Sequence, residues 1–128
     1  MPAPPLDDLR RAVKLFNRWQ FEEAQTWFIA ASESRHGRDR EFLQAFANIA
    51  AGFHRIWHKG GEANAMVTLV ERGRATLRGF TSPHLDITFA DLDAQLAECL
   101  EEAMRWRRGQ VDLFNRDLIP RIEIARKD

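Results

Sequence analysis

The 128 residues fit one domain, since domains typically hold roughly 100–150, and 45% hydrophobic with 30% charged residues is a globular composition that excludes a disordered or low-complexity chain. The single cysteine, Cys99, excludes an intrachain disulfide and any zinc site built from several thiolates. Nineteen Lys and Arg offset nineteen Asp and Glu, so the basic excess of a nucleic-acid binder is absent.

Residues 1–5 are a proline-rich lead expected to be disordered. With no basic region and no apolar run, they predict no signal peptide. No window approaches the about 20 apolar residues of a membrane span. A lone thiol needs no oxidising compartment, so a cytoplasmic protein is expected.

In chain order, Leu6, Leu9, Val13 and Phe16 recur at helical spacing and predict a first helix over 7–17. Asp7 and Asp8 suit its N-terminus, where carboxylates meet the positive end of the dipole. Phe21, Ala24, Phe28 and Ala31 predict a second helix over 21–34, with Trp27 broadening the apolar face and Gly37 as a left-handed cap at its end. Asp39 caps a third helix expected to reach 59, where Gly60 and Gly61 stop it. Phe42, Phe46, Ile49, Phe53 and Trp57 form one row and Leu43, Ala47, Ala50 and His54 another, so this helix should be central. A fourth helix is read over 62–78 along Ala65, Leu69, Gly73 and Leu77. Gly73 costs about 1 kcal/mol relative to Ala there, which points to close helix packing. A fifth runs over 88–107, with Phe89, Leu92, Leu96, Cys99, Leu100 and Ala103 in a stripe and Gly109 after it.

Pro120 prevents a continuous helix in the tail, and Ile122-Glu123-Ile124 alternates as an extended segment does. The tail is expected to lie across the bundle, burying Phe114, Leu118 and Ile122. The fold class is therefore all-α: a single-domain antiparallel bundle of about five helices over 6–108, with an irregular, extended tail over 109–128 packed on it.

Few residues suggest chemistry. His54 and His58, four apart, share a helix face and can ligate one metal, with Glu22, Glu23 or His84 as a third ligand. Equally, His54 is a core histidine bonded to a neighbouring helix and His58 an exposed one at the helix end. Glu22-Glu23 and Glu101-Glu102 are adjacent, so each pair diverges by about 100° and reads as a solvated face. Arg105-Trp106-Arg107-Arg108 could touch a phosphate or stack on a base, but Glu98, Glu101 and Glu102 largely cancel its field. There is no nucleophile elbow, phosphate-binding glycine loop or dinucleotide fingerprint. Cys99 sits on an apolar stripe, where thiols are packing groups.

Phe16-Asn-Arg-Trp-Gln-Phe-Glu-Glu-Ala24, an apolar helix ending in His54, and a Gly-rich turn resemble the domain-of-unknown-function 309 family. These are small all-α bacterial and archaeal proteins with no established activity. The likeness spans roughly residues 9–100. Phe16, Asn17, Phe21, Glu23 and Ala24 match its first block; Gln44, Ala50 and His54 match its second helix. Gly60 and Ala65 match the turn, with Leu69, Leu77 and Leu85-Asp86 following. Where the family pattern has H-E-x-x-E, this chain has Gln25, Thr26 and Ile29. Trp19 stands for a glycine, and Gly61 and Asn64 depart from the turn. The resemblance implies that the family's polar or metal-binding cluster is degenerate here, leaving only His54. Gln25 is then expected to lie near His54 and hydrogen-bond to it, with Ile29 filling the space of a carboxylate.

The expected function is a non-catalytic interaction or self-association module. It would need no cofactor, nucleic acid or membrane, and Trp19 or Trp106 would serve at the interface. The alternative is a metal-binding protein or small metal-dependent hydrolase using His54 and His58 with Glu22. Asp112, Asp117 or Glu123 of the tail are the other carboxylates able to fold back over the second helix.

Overall fold

A computed structural model describes residues 5–57 and 62–124, with side chains beginning at residue 8 and leaving out that of Trp57. Residues 1–4 of the expected lead, His58, the Gly60-Gly61 stop and the side chains of Leu6, Asp7 and Trp57 lie outside the described residues, while Pro5, expected in the lead, opens the first helix.

Among the described residues five α-helices predominate: α1 (Pro5–Asn17), α2 (Phe21–Glu33), α3 (Gly37–His54), α4 (Ala63–Leu77) and α5 (Leu92–Arg107). The all-α expectation holds. Each helix packs against the next in sequence, as short connections require. α3 is central, touching both α2 and α4. Its buried residues include Phe42, Leu43, Phe46, Ile49, Ala50 and Phe53, so both predicted rows face inward as far as Phe53, and His54 is half-buried. Aromatic rings knit the first three helices: Phe16 meets Phe21 edge-on at 5.0 Å, and Phe28 stacks on Phe46 at 5.5 Å.

Several boundaries differ from expectation. Gly37 does take a left-handed φ of 59°, but as the first residue of α3 and not as the cap of α2. α3 ends at His54 and tightens into a 3-10 turn over Arg55–Trp57, short of residue 59. α5 begins at Leu92, not 88. Ile87–Thr88 instead forms a strand, β1, whose partner is β2 (Glu123–Ile124) in the tail. They pair antiparallel, Ile87 opposite Ile124 and Thr88 opposite Glu123. The backbone groups that would open a longer α5 are thus spent on the tail and on Ser82, whose hydroxyl accepts the Phe89 N–H at 2.8 Å.

α4 buries Met66, Val70, Gly73 and Leu77, while Ala65 and Leu69 stay half-buried. Gly73 and Leu77 are buried as read, whereas in the first half of α4 the buried side chains are Met66 and Val70, one position on from Ala65 and Leu69. A Cβ on Gly73 would sit 2.5 Å from the Ala45 carbonyl and 2.6 Å from the Ile49 side chain. From the other helix, a Cβ on Gly52 would sit 2.6 Å from Val70. Two glycines, one on each helix, let α3 and α4 approach this closely.

The tail crosses the bundle as expected. Phe114 and Ile122 are buried, joined by Ile119, while Leu118 is half-buried against the same core. A 3-10 turn over Arg116–Leu118 precedes Pro120. No helix among the described residues is long and apolar enough to cross a membrane.

Candidate functional site

Of the residues singled out by the motif, Trp19, Phe21, Glu23 and His54 gather at the corner between α1 and α2. Trp19 occupies the turn with φ 63°, a conformation that favours glycine. It stands where the resembled pattern has a glycine. The turn closes through Trp19 N–H to the Phe16 carbonyl at 3.0 Å and Gln20 N–H to the Leu15 carbonyl at 2.9 Å. Trp19 remains 43% exposed.

Trp19, Gln20, Phe21, Glu22, Glu23 and the end of α3 at His54 line a shallow depression of about 250 Å³. His54 Nε2 lies 3.7 Å from Glu22 Oε2. That distance is too long for a hydrogen bond and gives an ion pair only when the imidazole is protonated. It is close to the about 3.3 Å that separates two ligands of one tetrahedral zinc. The structure therefore brings together two of the three residues of the metal alternative, Glu22 and His54. The third, His58, lies outside the described residues.

Gln25 does not play its expected part. It is half-buried, and among the described contacts it forms no hydrogen bond to His54; the carboxylate that faces the imidazole is that of Glu22. Thr26 is exposed and donates its hydroxyl to the Glu22 carbonyl at 3.2 Å. Ile29 is 40% exposed, so it does not fill a core. The reason is the phase of α2. Phe21, Ala24, Phe28 and Ala31 take the inward face, which turns Glu22, Thr26, Ile29 and Glu33 outward as one exposed stripe.

His84, a candidate third ligand, is far from this corner. Its Nε2 is 2.8 Å from Asp39 Oδ1, and a carboxylate only accepts, so the imidazole donates. Its ring packs on Phe42 at 4.6 Å and Phe80 at 5.0 Å. Asp39 belongs to the first turn of α3, about 22 Å of helix from His54. Asp39 thus ties down a loop. Glu23 is exposed beside Glu22. Among the described residues no three His, Cys, Asp or Glu side chains are grouped to hold a metal.

Asn17, matched in the resemblance, is a structural clamp. Its Nδ2 donates to the Ile122 carbonyl at 2.9 Å, and its Oδ1 accepts the Ile122 N–H at 2.8 Å. Glu102, read as solvated, is buried at 6% exposure. It accepts the Asn115 N–H at 2.9 Å and Arg105 Nε at 3.0 Å. Its position three residues after Cys99, on the apolar side of α5, was the available signal. The tail carboxylates do not cover α2: Glu123 pairs with Thr88 in the small sheet, while Asp112 and Asp117 are exposed.

The Arg105–Arg108 run is dispersed. Arg105 is held by Glu102, Arg107 donates to Asn64 at 3.1 Å, and Trp106 is half-buried with its ring 6.4 Å from Phe114. Trp106 therefore braces the tail, and of the two tryptophans considered for an interface only Trp19 is substantially exposed. Cys99 is fully buried and donates to the Leu118 carbonyl at 3.2 Å. Burial, helped by the charges of Glu98 and Glu102, pushes its thiol up to about 12.

No family model matches the chain, and neither a curated protein nor a solved structure matches it.

Proposed function

We propose that this chain is a non-catalytic self-association module, related to the domain-of-unknown-function 309 proteins, whose contact surface is the outer face of α2 together with Trp19. The observation that carries the reading is Ile29. Where the resembled motif has a carboxylate, an apolar side chain lies 40% exposed in the middle of that face. Trp19, 43% exposed, stands just before α2, where it lines one depression with Glu22. Large aromatics at such places are the usual anchors of interfaces.

Charge favours a second copy as the occupant. α2 carries Glu22, Glu23 and Glu33 and no basic residue. The neighbouring α1 exposes Arg10, Arg11 and Lys14. The two rows adjoin, because the Arg11 guanidinium lies 4.5 Å over the Trp27 ring of α2. In a twofold contact the acidic row of one copy meets the basic row of the other, as a self-complementary surface requires. A net charge of zero adds no repulsion. An unpaired, buried thiol suits the reducing cytoplasm, and the reading calls for neither nucleic acid nor cofactor. Chemical cross-linking of the purified protein should give a dimer band that Ile29→Glu removes and Trp19→Ala weakens. A dimer band unaltered in Ile29→Glu would move the interface elsewhere.

A second reading rests on the 3.7 Å approach of Glu22 to His54. In it these two residues and His58 hold a transition metal, for storage or hydrolysis. Metal content of untagged protein purified without chelator tests this. One metal per chain, lost in His54→Ala, would establish it. A metal-free protein that also fails to take up cobalt would remove it.

A further inference from the structure

Between α1 and the tail strand β2 lies an open groove of about 770 Å³, inside the range of ligand pockets, about 300–1,000 Å³. Its two walls are fixed to each other, because the Asn17 amide of α1 bonds both backbone groups of Ile122. Its floor is closed. Val13 and Ile122 are 4% and 3% exposed, so an apolar ligand finds little surface there to cover.

The lining is cationic. Arg10, Lys14 and Arg18 stand along the α1 wall and Arg121 on the tail, against the single carboxylate of Glu123. Four positive charges meet one negative, a surplus of three within the lining itself. All four basic side chains are exposed, and among the described residues their charged heads have no hydrogen bond or ion pair. The Arg18 N–H still bonds the Lys14 carbonyl at 3.2 Å, so the row keeps its helical rise past the end of α1. Positions four residues apart are then separated by about 6 Å, and the row spans about 12 Å.

We propose that this groove binds an extended acidic peptide segment with carboxylates on alternate residues. Alternate side chains of an extended chain lie on one face, about 6.4–6.8 Å apart, so three of them span about 13 Å and match the row of three cations. The long Lys and Arg side chains absorb the difference. A compact anion reaches only part of a charge strung out in this way. A nucleic-acid strand finds no aromatic ring in the lining on which to stack a base. The guanidinium forks of Arg10 and Arg18 suit carboxylates, and Arg121 adds a cation from the opposite wall. Single exposed pairs are weak, so binding depends on several forming together, which the spacing decides. Arg10 and Lys14 also belong to the basic row proposed for self-association, so peptide and second copy compete for them.

The probe is the blocked peptide Ser-Glu-Ser-Glu-Ser-Glu-Ser, with Ser-Ser-Glu-Glu-Glu-Ser-Ser as an isomer of equal charge and wrong spacing. Amide shifts of Lys14 and Ile122 in the full-length protein at low ionic strength, where exposed charges are least screened, give both affinities. The alternating peptide should bind about threefold or more tightly than its isomer, the worth of one exposed pair. Lys14→Glu should weaken it about fivefold or more, whereas Arg72→Glu, the same change of charge at an exposed position of α4 outside the groove, should alter it by less than about twofold. The preference should persist in Ile29→Glu, where the second copy no longer competes. The proposal is overturned if the two peptides bind alike in the wild type and in Ile29→Glu, if Lys14→Glu binds as Arg72→Glu does, or if a thymidylate oligonucleotide of equal charge binds more tightly than the alternating peptide.

Discussion

The side-chain amide of Asn17 reads the backbone of Ile122 as a neighbouring strand would, donating to its carbonyl at 2.9 Å and accepting its N–H at 2.8 Å. The pair joins the last residue of α1 to the tail across 105 positions of sequence. Ile122 is 3% exposed, so neither backbone group has easy recourse to water. Asn17→Ala should destabilise the protein by about 2 kcal/mol, the cost of orphaning buried polar groups. Asn17→Asp keeps the acceptor but sets a carboxylate oxygen against the Ile122 carbonyl, and should cost at least as much. Urea unfolding followed by circular dichroism measures both.

Glu102 does the same for the preceding part of the tail. Its carboxylate takes the Asn115 N–H and is neutralised by Arg105. Glu102→Gln retains an acceptor and should be tolerated within about 1 kcal/mol, whereas Glu102→Leu leaves the Asn115 N–H without its partner and should cost about 1–3 kcal/mol. Hydrogen exchange at the Asn115 amide should accelerate in the Leu variant and stay slow in the Gln variant.

Gly73 separates helix propensity from packing. Alanine is the better helix former by about 1 kcal/mol, so a Gly73 exposed to solvent would be improved by the change. Here the new Cβ meets the Ala45 carbonyl, a backbone atom that has no rotamer to change. Gly73→Ala should therefore lower stability, by about 1–3 kcal/mol. A higher melting temperature for this variant would show that α3 and α4 do not cross as described.

Cys99 should be inert. Its thiol is fully buried and pushed up to about 12, and the thiolate is the reactive form. Labelling by a disulfide reagent at pH 8 should be slow in the native protein and fast in denaturant. Stability carries the same signature. The folded thiol stays protonated where the unfolded one, with its ordinary value of 9.0, ionises. Stability from this group is thus full below pH 9 and falls as pH rises toward 12. Cys99→Ala should flatten that alkaline slope.

Helical periodicity made the inward faces of α1, α2, α3 and α5 legible, because Phe16, Phe28, Phe46 and Leu96 recur with the helix period and nothing else competes for them. The start of α5 was not legible. Thr88 and Phe89 continue its apolar rhythm, yet their backbone is drawn into pairing with Glu123 and bonding to Ser82, both distant in sequence. The second half of α4 was legible in Gly73 and Leu77, but its first half was read one position early, since Val70 packs at Gly52, a contact that only the packed pair reveals. At the candidate corner, Glu22 and His54 were legible as possible partners from ligand chemistry. Gln25 was mispaired with His54, and Ile29 was placed inside, because the resemblance says which residues change and the phase of α2 decides which way they point. Glu102 was read as solvated because a buried carboxylate is identified by its partner, and Asn115 lies on the tail.

Sedimentation equilibrium of the wild-type protein from about 10 μM to 1 mM, the span in which modest interfaces form, tests the proposed self-association most directly. A mass rising from 14.8 kDa toward twice that value, and held near 14.8 kDa by Ile29→Glu with its helical spectrum intact, is the expected result. A wild-type chain that stays at 14.8 kDa throughout would contradict the account.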